Sequence, residues 1–259
     1  MVLSKLSKLV GLDNIELTPS GNISILGALM MAKSNGFSKV IVPKEGGWFS
    51  YKKYPQLLGF EFEEVDTDWA KISLSDLKEK LDEHSVLLYA TPGGYFVEQE
   101  VFEIAQLAKK VGALVIGDIA GSLGLEVYKD SFDFAVGSFG NNKPLEVGYG
   151  GFLASKTEIP GAIKSFCKFP QKLIPELEIA IDNLEKRWKF FEMTRQEILK
   201  SISEEFAYPD SRGVNLMIKG ISKGVIEFLK KKEIPFLICP QYHRVKRKGI
   251  SVEIKRMHC

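Results

Sequence analysis

The chain has 259 residues, and 35 Lys and Arg against 33 Asp and Glu leave a net charge of +2. With 45% hydrophobic and 26% charged residues its proportions are globular, which excludes a disordered or fibrous chain. Near-neutral charge argues against nucleic acid as the main partner, and the length admits one large domain, or a large one plus a small one, with a core that needs no staples.

The first two-thirds alternate between helix and strand signals. Ile23–Ser34 reads as a helix opening after Thr18-Pro19-Ser20-Gly21-Asn22, and the β-branched run Lys39–Pro43 reads as a strand. A helix over Tyr51–Leu58 ends at Gly59, and Glu61–Val65 is a strand. Leu74–Leu81 is an amphipathic helix capped by Ser73, with Asp76 three residues on. Ser85–Ala90 is a strand of the buried type, Glu100–Val111 a helix and Ala113–Gly117 another buried strand. Phe132–Phe139 and Gly150–Ala154 complete the set. Repeated strand–helix units with continuous apolar strands predict an α/β fold, a mostly parallel sheet covered by helices on both faces.

The remainder differs. Pro170 and Pro175 bracket a break, and Glu176–Ser201 reads as one long charged helix. Then come a strand Val214–Lys219, a helix Lys223–Glu233 and strands Pro235–Cys239 and Ile250–Lys255, a β-α-β-β unit able to form a small sheet of its own. The boundary is placed near residue 165. The basic run His243-Arg-Val-Lys-Arg-Lys248 reads as a hairpin turn with solvated charges rather than a nucleic-acid patch.

The scattered Cys167, Cys239 and Cys259 form no C-x-x-C pair, so a disulfide framework is not expected and a cytoplasmic location is. His84, His243 and His258 are equally scattered, and no zinc site is visible. The opening Met1–Leu6 does not read as a signal peptide, and the longest apolar stretch, Ile23–Ala32, is too short to span a bilayer. The 29 Lys and 23 Glu against 6 Gln and 7 Asn form a thermophilic skew.

Three short segments can carry chemistry. Ser20-Gly21-Asn22 stands at a helix N-terminus, where free N–H groups and the helix dipole attract anions, above all phosphate. Alone, an ordinary N-cap is the simpler reading. Gly117-Asp118 ends a buried strand, where open α/β sheets bind ligands and an acid can meet a cationic group; alone, a helix-capping Asp serves equally well. Ser138 to Gly151 follows another strand and holds Lys143 among Gly and Asn. A desolvated Lys can attack a carbonyl to form a Schiff base, although a lone Lys is more simply a surface residue. The order of a Walker A loop is absent.

Together the three form the constellation of pyridoxal 5'-phosphate (PLP) chemistry: N–H donors for a phosphate, a carboxylate for a pyridinium and an amine for an aldehyde. The sequence resembles the fold-type I PLP enzymes, and within them the DegT-type, sugar-aminotransferase-like family. Ser138-Phe-Gly-Asn-Asn-Lys143 followed by Gly148-Tyr-Gly150-Gly151 matches that family's Ser-Phe-x-x-x-Lys…Gly-x-Gly-Gly motif. Asp118-Ile-Ala-Gly-Ser-Leu-Gly124 matches Asp-x-Ala-x-x-x-Gly, and Ser20-Gly21-Asn22 matches the Ser-Gly-Thr turn. The resemblance implies that Lys143 forms the Schiff base, Asp118 pairs with the pyridinium nitrogen, and Ser138 and the Ser20–Asn22 turn hold the phosphate. It also implies that Trp48 stacks on the cofactor ring. Residues 1–165 would be the PLP-binding large domain and 166–259 a long connecting helix and small C-terminal domain.

The likeness covers roughly residues 18 to 155. It departs at Gly121, where the family has Gln or His near the cofactor's ring oxygen, at Glu146-Val147 in place of Thr-Thr, and at Tyr149 in place of an acid. The N-terminal arm and the small domain are short. The function implied is an aminotransferase moving an amino group from a glutamate-like donor to a keto acceptor such as a nucleotide-linked keto-sugar, in a homodimer with shared sites. Arg212, Arg244 and Arg247 are candidates for the donor carboxylate. The alternatives are a PLP-dependent lyase, aldolase or desulfurase on a small amino acid, with Cys239 a conceivable sulfur-handling residue, and a degenerate, non-catalytic member.

Overall fold

In the computed structural model, residues 2–125, 128 and 130–257 are described. The chain opens with α1 (Val2–Val10), a helix because Val2, Leu6 and Val10 recur every four residues and form one buried stripe. In chain order follow β1 (Asn14–Thr18), α2 (Gly21–Ser34), β2 (Lys39–Pro43), α3 (Ser50–Leu57), β3 (Glu61–Val65) and the two-residue pair β4 (Thr67–Asp68) and β5 (Lys71–Ile72). Next are α4 (Leu74–Lys80), β6 (Ser85–Ala90), α5 (Val101–Val111), β7 (Leu114–Asp118), β8 (Phe134–Ser138) and β9 (Gly151–Ser155). Ser73 caps α4 as expected, its hydroxyl accepting the Asp76 N–H. Gly112, in the left-handed region at φ 79°, ends α5.

Seven of these strands form one sheet in the order β1-β9-β8-β7-β6-β2-β3. The pairs from β3 through β8 are parallel, and β9 is antiparallel to both β8 and β1. Alternation along each strand fills two cores. Ile41, Leu87, Tyr89 and Val115 face the side covered by α1, α4 and α5. Val40, Val42, Val86, Leu88 and Ile116 face α2 and α3.

Residues 174–201 form two helices where one long helix is predicted: α7 (Ile174–Asp182) and α8 (Leu184–Ser201), after the short α6 (Gly161–Lys164) and a 3-10 turn at Gln171–Leu173. The break falls at Asn183, whose ψ of 0° lies off the helical value; its N–H and its side-chain amide both donate to the Ile179 carbonyl. α8 joins two cores. Its Leu184 belongs to the main core, its Phe191 and Ile198 to a C-terminal one, and Trp188 packs against both while donating to the Leu123 carbonyl at 2.9 Å.

The C-terminal unit contains β10 (Phe206–Ala207), β11 (Leu216–Lys219), α9 (Lys223–Lys231), β12 (Phe236–Cys239) and β13 (Gly249–Val252). It is a four-stranded antiparallel sheet, β10-β11-β13-β12, backed by α8 and α9. The expected strand over 250–255 stops at Val252, and Ile254–Arg256 coil into a 3-10 turn. Among the described residues no helix is long and apolar enough to cross a membrane.

Leu6 is fully buried in the main core. Leu6→Ala is expected to cost about 2–5 kcal/mol, read as a lower urea midpoint. An unchanged midpoint would mean that α1 does not dock.

Candidate functional site

β7 and β8 are adjacent parallel strands, so their last residues, Asp118 and Ser138, emerge at one edge of the sheet. β1 is antiparallel to β9, which is antiparallel to β8, so β1 points the same way as β8 and delivers Ser20-Gly21-Asn22 to that edge. Ser20 also bridges Gly150. Trp48 follows β2, and the 139–150 loop after β8 carries Lys143. All seven residues singled out from the sequence, Ser20, Gly21, Asn22, Trp48, Asp118, Ser138 and Lys143, line a single cavity of about 350 Å³.

The donor set is polar at one end. Ser20 caps α2 by accepting the Ile23 N–H, and the N–H groups of Gly21 and Asn22 lie in the first turn, where no intrahelical acceptor exists. Ser138 Oγ accepts the Gly140 N–H at 3.2 Å, which leaves its hydroxyl hydrogen to donate. Position 21 must be Gly because a Cβ there would lie 2.8 Å from Ser138 Cβ. The two segments therefore touch. Trp48 donates its indole N–H to Asn22 Oδ1 at 3.0 Å, which fixes the ring as a wall.

At the other end, Asp118 accepts the Tyr51 hydroxyl at 2.7 Å and the Ala120 N–H at 2.9 Å. Burial raises the Asp118 carboxyl above its ordinary range against the opposing pull of those two donors and of the Lys143 charge. Tyr51 is driven well up, first by burial and then by the Asp118 charge. Lys143 Nζ lies 5.6 Å from the Trp48 ring centroid and donates to the hydroxyl of Tyr95.

The C-terminal unit adds His243, Arg244, Lys255 and Arg256 to the lining, which corrects the reading of its basic run. Only Lys246, Arg247 and Lys248 are exposed; His243 and Arg244 turn into the cavity, because Val245 between them and the strands is buried. Arg244 is 1% exposed, grips Glu253 through two hydrogen bonds of 2.9 and 2.7 Å, and donates to the His243 carbonyl. Burial alone would raise Glu253; the Arg244 bonds and charge override it and leave the carboxyl at about 2. Lys255 and Arg256, on the 3-10 turn, also line the cavity. Burial first, then the Arg244 and Lys143 charges, push the Lys255 amine well below its ordinary range.

Of the three arginine candidates, Arg212 reaches Glu98, Arg247 reaches Asp68, and neither lines the cavity; Arg244 lines it with its guanidinium held by Glu253. Arg256, unsuspected from the sequence, is the partly exposed arginine there. Cys239 is fully buried beside Phe96 and Met217, away from the cavity, and burial pushes its thiol up. Tyr51, Tyr95, His243, Lys255 and Arg256 were missed because their sequence spacing carries no signal. For Tyr95 the Thr91-Pro92-Gly93-Gly94 turn after a buried strand would at least have marked a strand-end loop.

Similarity with known structures follows the same architecture. A Streptococcus pneumoniae protein described as a sugar aminotransferase, in its PLP form, superposes with a TM-score of 0.75 at 12% identity, over 98% of this chain and 85% of that one. The fold is that of the fold-type I PLP enzymes. A cysteine desulfurase from Thermococcus onnurineus superposes with a TM-score of 0.74 at 14% identity, over 97% of this chain and 77% of its own. A serine palmitoyltransferase variant from S. paucimobilis gives 0.73 at 18% identity, over 100% and 71%. The C-terminal residues 185–259 match the MJ1341 family C-terminal domain, which covers less than half of the chain. No curated protein matches by sequence.

His243 is lowered from 6.5 to about 4 by burial and by the neighbouring Arg244 charge. A histidine lowered on folding contributes stability that is present above its unfolded value and is lost as pH falls toward its folded value. The protein should therefore lose stability between pH 6.5 and about 4, and His243→Gln should remove part of that loss in urea titrations. Identical pH profiles for the two proteins would show that the ring is not held neutral.

Proposed function

We propose that the chain is a PLP-dependent aminotransferase of the DegT type, which moves an amino group from a glutamate-like donor to a keto acceptor such as a nucleotide-linked keto-sugar. The observation that carries this reading is the convergence of an anion-binding turn, an aromatic wall, a buried carboxylate and an amine on one cavity. The residues fit the cofactor: the α2 N-terminus with Ser20 and Ser138 suits a phosphate, Trp48 suits a flat ring, Asp118 suits a pyridinium and Lys143 suits an aldehyde. When bound, PLP supplies an electrophilic carbonyl and a ring that delocalises the electrons of a deprotonated substrate carbon.

The protein's own groups do the rest. Asp118, oriented by Tyr51 and the Ala120 N–H, would hold a proton on the cofactor's pyridine nitrogen. Lys143 would supply the amine that holds the cofactor's aldehyde, and as a free amine it would carry a proton as general base. Arg256 also faces Glu253, through Nε at 3.5 Å, but it is half-exposed and would turn the far edge of its guanidinium to the donor carboxylate, which Arg244, buried and doubly bonded to Glu253, does not. Desulfuration through a protein thiol has no support, since neither Cys167 nor Cys239 lines the cavity and Cys259 lies outside the described residues.

We read residues 1–165 as the cofactor-binding part and 166–259 as the part that covers it. We also read the working unit as a cytoplasmic homodimer with shared sites, a reading supported by Phe49, a large apolar side chain 48% exposed on the cavity lining.

Purified protein with PLP is expected to show a borohydride-reducible band near ~420 nm that Lys143→Ala abolishes. Glutamate should discharge it with release of a keto acid; a cleaved fragment instead would defeat the transamination reading. Asp118→Asn should keep the band and lower turnover by roughly a hundredfold or more.

A further inference from the structure

We propose that Tyr95 is a further catalytic residue of this cavity, its hydroxyl holding the Lys143 amine in place, and that Lys255 positions the Tyr95 ring from the C-terminal unit. The inference rests on the reading of Lys143 as the cofactor-attaching amine.

Tyr95 lies in the loop after β6 and accepts a hydrogen bond from Lys143 Nζ, which also sits 4.4 Å from its ring centroid. An amine at the end of four rotatable bonds samples many positions, and a fixed acceptor at its tip selects one. Tyr95 is itself unusually fixed. Its backbone is in the left-handed region at φ 72°, a strained conformation that a non-glycine residue keeps only where its surroundings hold it. The enforcement is visible. The Tyr95 carbonyl accepts the N–H groups of both Val214 and Asn215 at 3.0 Å, at the start of the C-terminal sheet.

The ring is clamped as well. Lys255 Nζ lies 3.6 Å from its centroid and the Arg244 guanidinium 4.8 Å. Lys255 is 6% exposed, and among the described residues its Nζ makes no hydrogen bond or ion pair, so the aromatic ring is its main contact. The Glu253 carboxylate acts on the Lys255 amine only through space, with no direct bond, so the ring face is the group that the amine touches. On the ring's edge stands Gly121. A Cβ there would lie 3.0 Å from Tyr95 Cδ1, tighter than ordinary contact. The small residue at 121 and the tyrosine at 95 are therefore two halves of one arrangement: the space that a larger side chain at 121 would occupy belongs to the ring that holds Lys143.

The test is the rate at which cofactor-free protein forms the borohydride-reducible adduct with added PLP, located by peptide mass, together with the absorption maximum of that adduct. Tyr95→Phe keeps the ring and removes the acceptor. It should slow adduct formation at Lys143 by about tenfold or more and shift the maximum, with the unfolding midpoint little changed. Gly121→Ala leaves the hydroxyl and displaces the ring, and should change rate and maximum in the same direction, which keeps the question open to decision even if the Phe variant folds poorly. Lys255→Met should slow the wild-type protein but add nothing in the Tyr95→Phe background. Wild-type rate and maximum in both Tyr95→Phe and Gly121→Ala would overturn the role of Tyr95. Equal effects of Lys255→Met in both backgrounds would overturn the positioning by Lys255. Survival of the adduct band in Lys143→Ala would instead defeat the reading of Lys143 itself.

Discussion

Strand direction is the constraint on which the rest depends. β2, β6, β7 and β8 run parallel, and β1 points with them because it is paired through the antiparallel β9. Every loop that carries a polar lining residue of the large sheet therefore leaves at one edge. Parallel strands need both faces covered, and the continuous apolar runs at 40–42, 86–89 and 114–116 meet that need. The same hydrophobic pattern that buries the sheet thus collects residues 20–22, 48, 95, 118, 138 and 143, which are far apart in sequence, into about 350 Å³.

The C-terminal unit closes that cavity through an ion pair. Arg244 and Glu253 are both essentially out of solvent and are joined by two short hydrogen bonds. Such a pair contributes little net stability, because desolvation offsets the attraction, but losing one partner leaves a buried charge and is strongly destabilising. Its effect is geometric. Glu253 is the residue at which β13 gives way to the 3-10 turn, and Arg244 lies in the hairpin between β12 and β13. Pinning one to the other sets Lys255 and Arg256 against the cavity rather than along an extended strand. Asn215 and Ser251 also donate to Glu253, so the carboxylate is satisfied from several sides.

The large sheet was legible because its signals are local. Apolar runs bounded by Gly and Pro gave strands whose observed limits differ by only a residue or two, and the Ser73 cap is present as read. The polar positions of the site were legible through motif spacing, and all seven share the cavity. What was not legible depends on tertiary partners. α1 and β1 carry short patterns that acquire meaning only against α7 and β9. The strand expected through Lys255 ends early because Glu253 turns to Arg244, and the predicted long helix divides at Asn183, whose ψ of 0° lies off the helical value. Tyr95 was invisible because its partners come from residues 143, 214, 215 and 255, none near it in sequence.

The pairing of β1 with β9 also fixes an order of events as the chain is made. Asn14 reaches the carbonyl of Ser155 across a sequence separation of 141. The Ser20–Asn22 turn leaves the ribosome more than a hundred residues before its partner Ser138 and the strand that orients it. A contact of such long range closes slowly and late. The parallel strands 39–43, 61–65, 85–90 and 114–118 can pair while the 20–22 turn still waits, so the pocket is completed only when β9 inserts between β8 and β1. Completion of the pocket is thereby tied to arrival of the last strand of the large sheet, and a nascent chain stalled before residue 151 would hold Lys143 without the 20–22 turn beside Ser138.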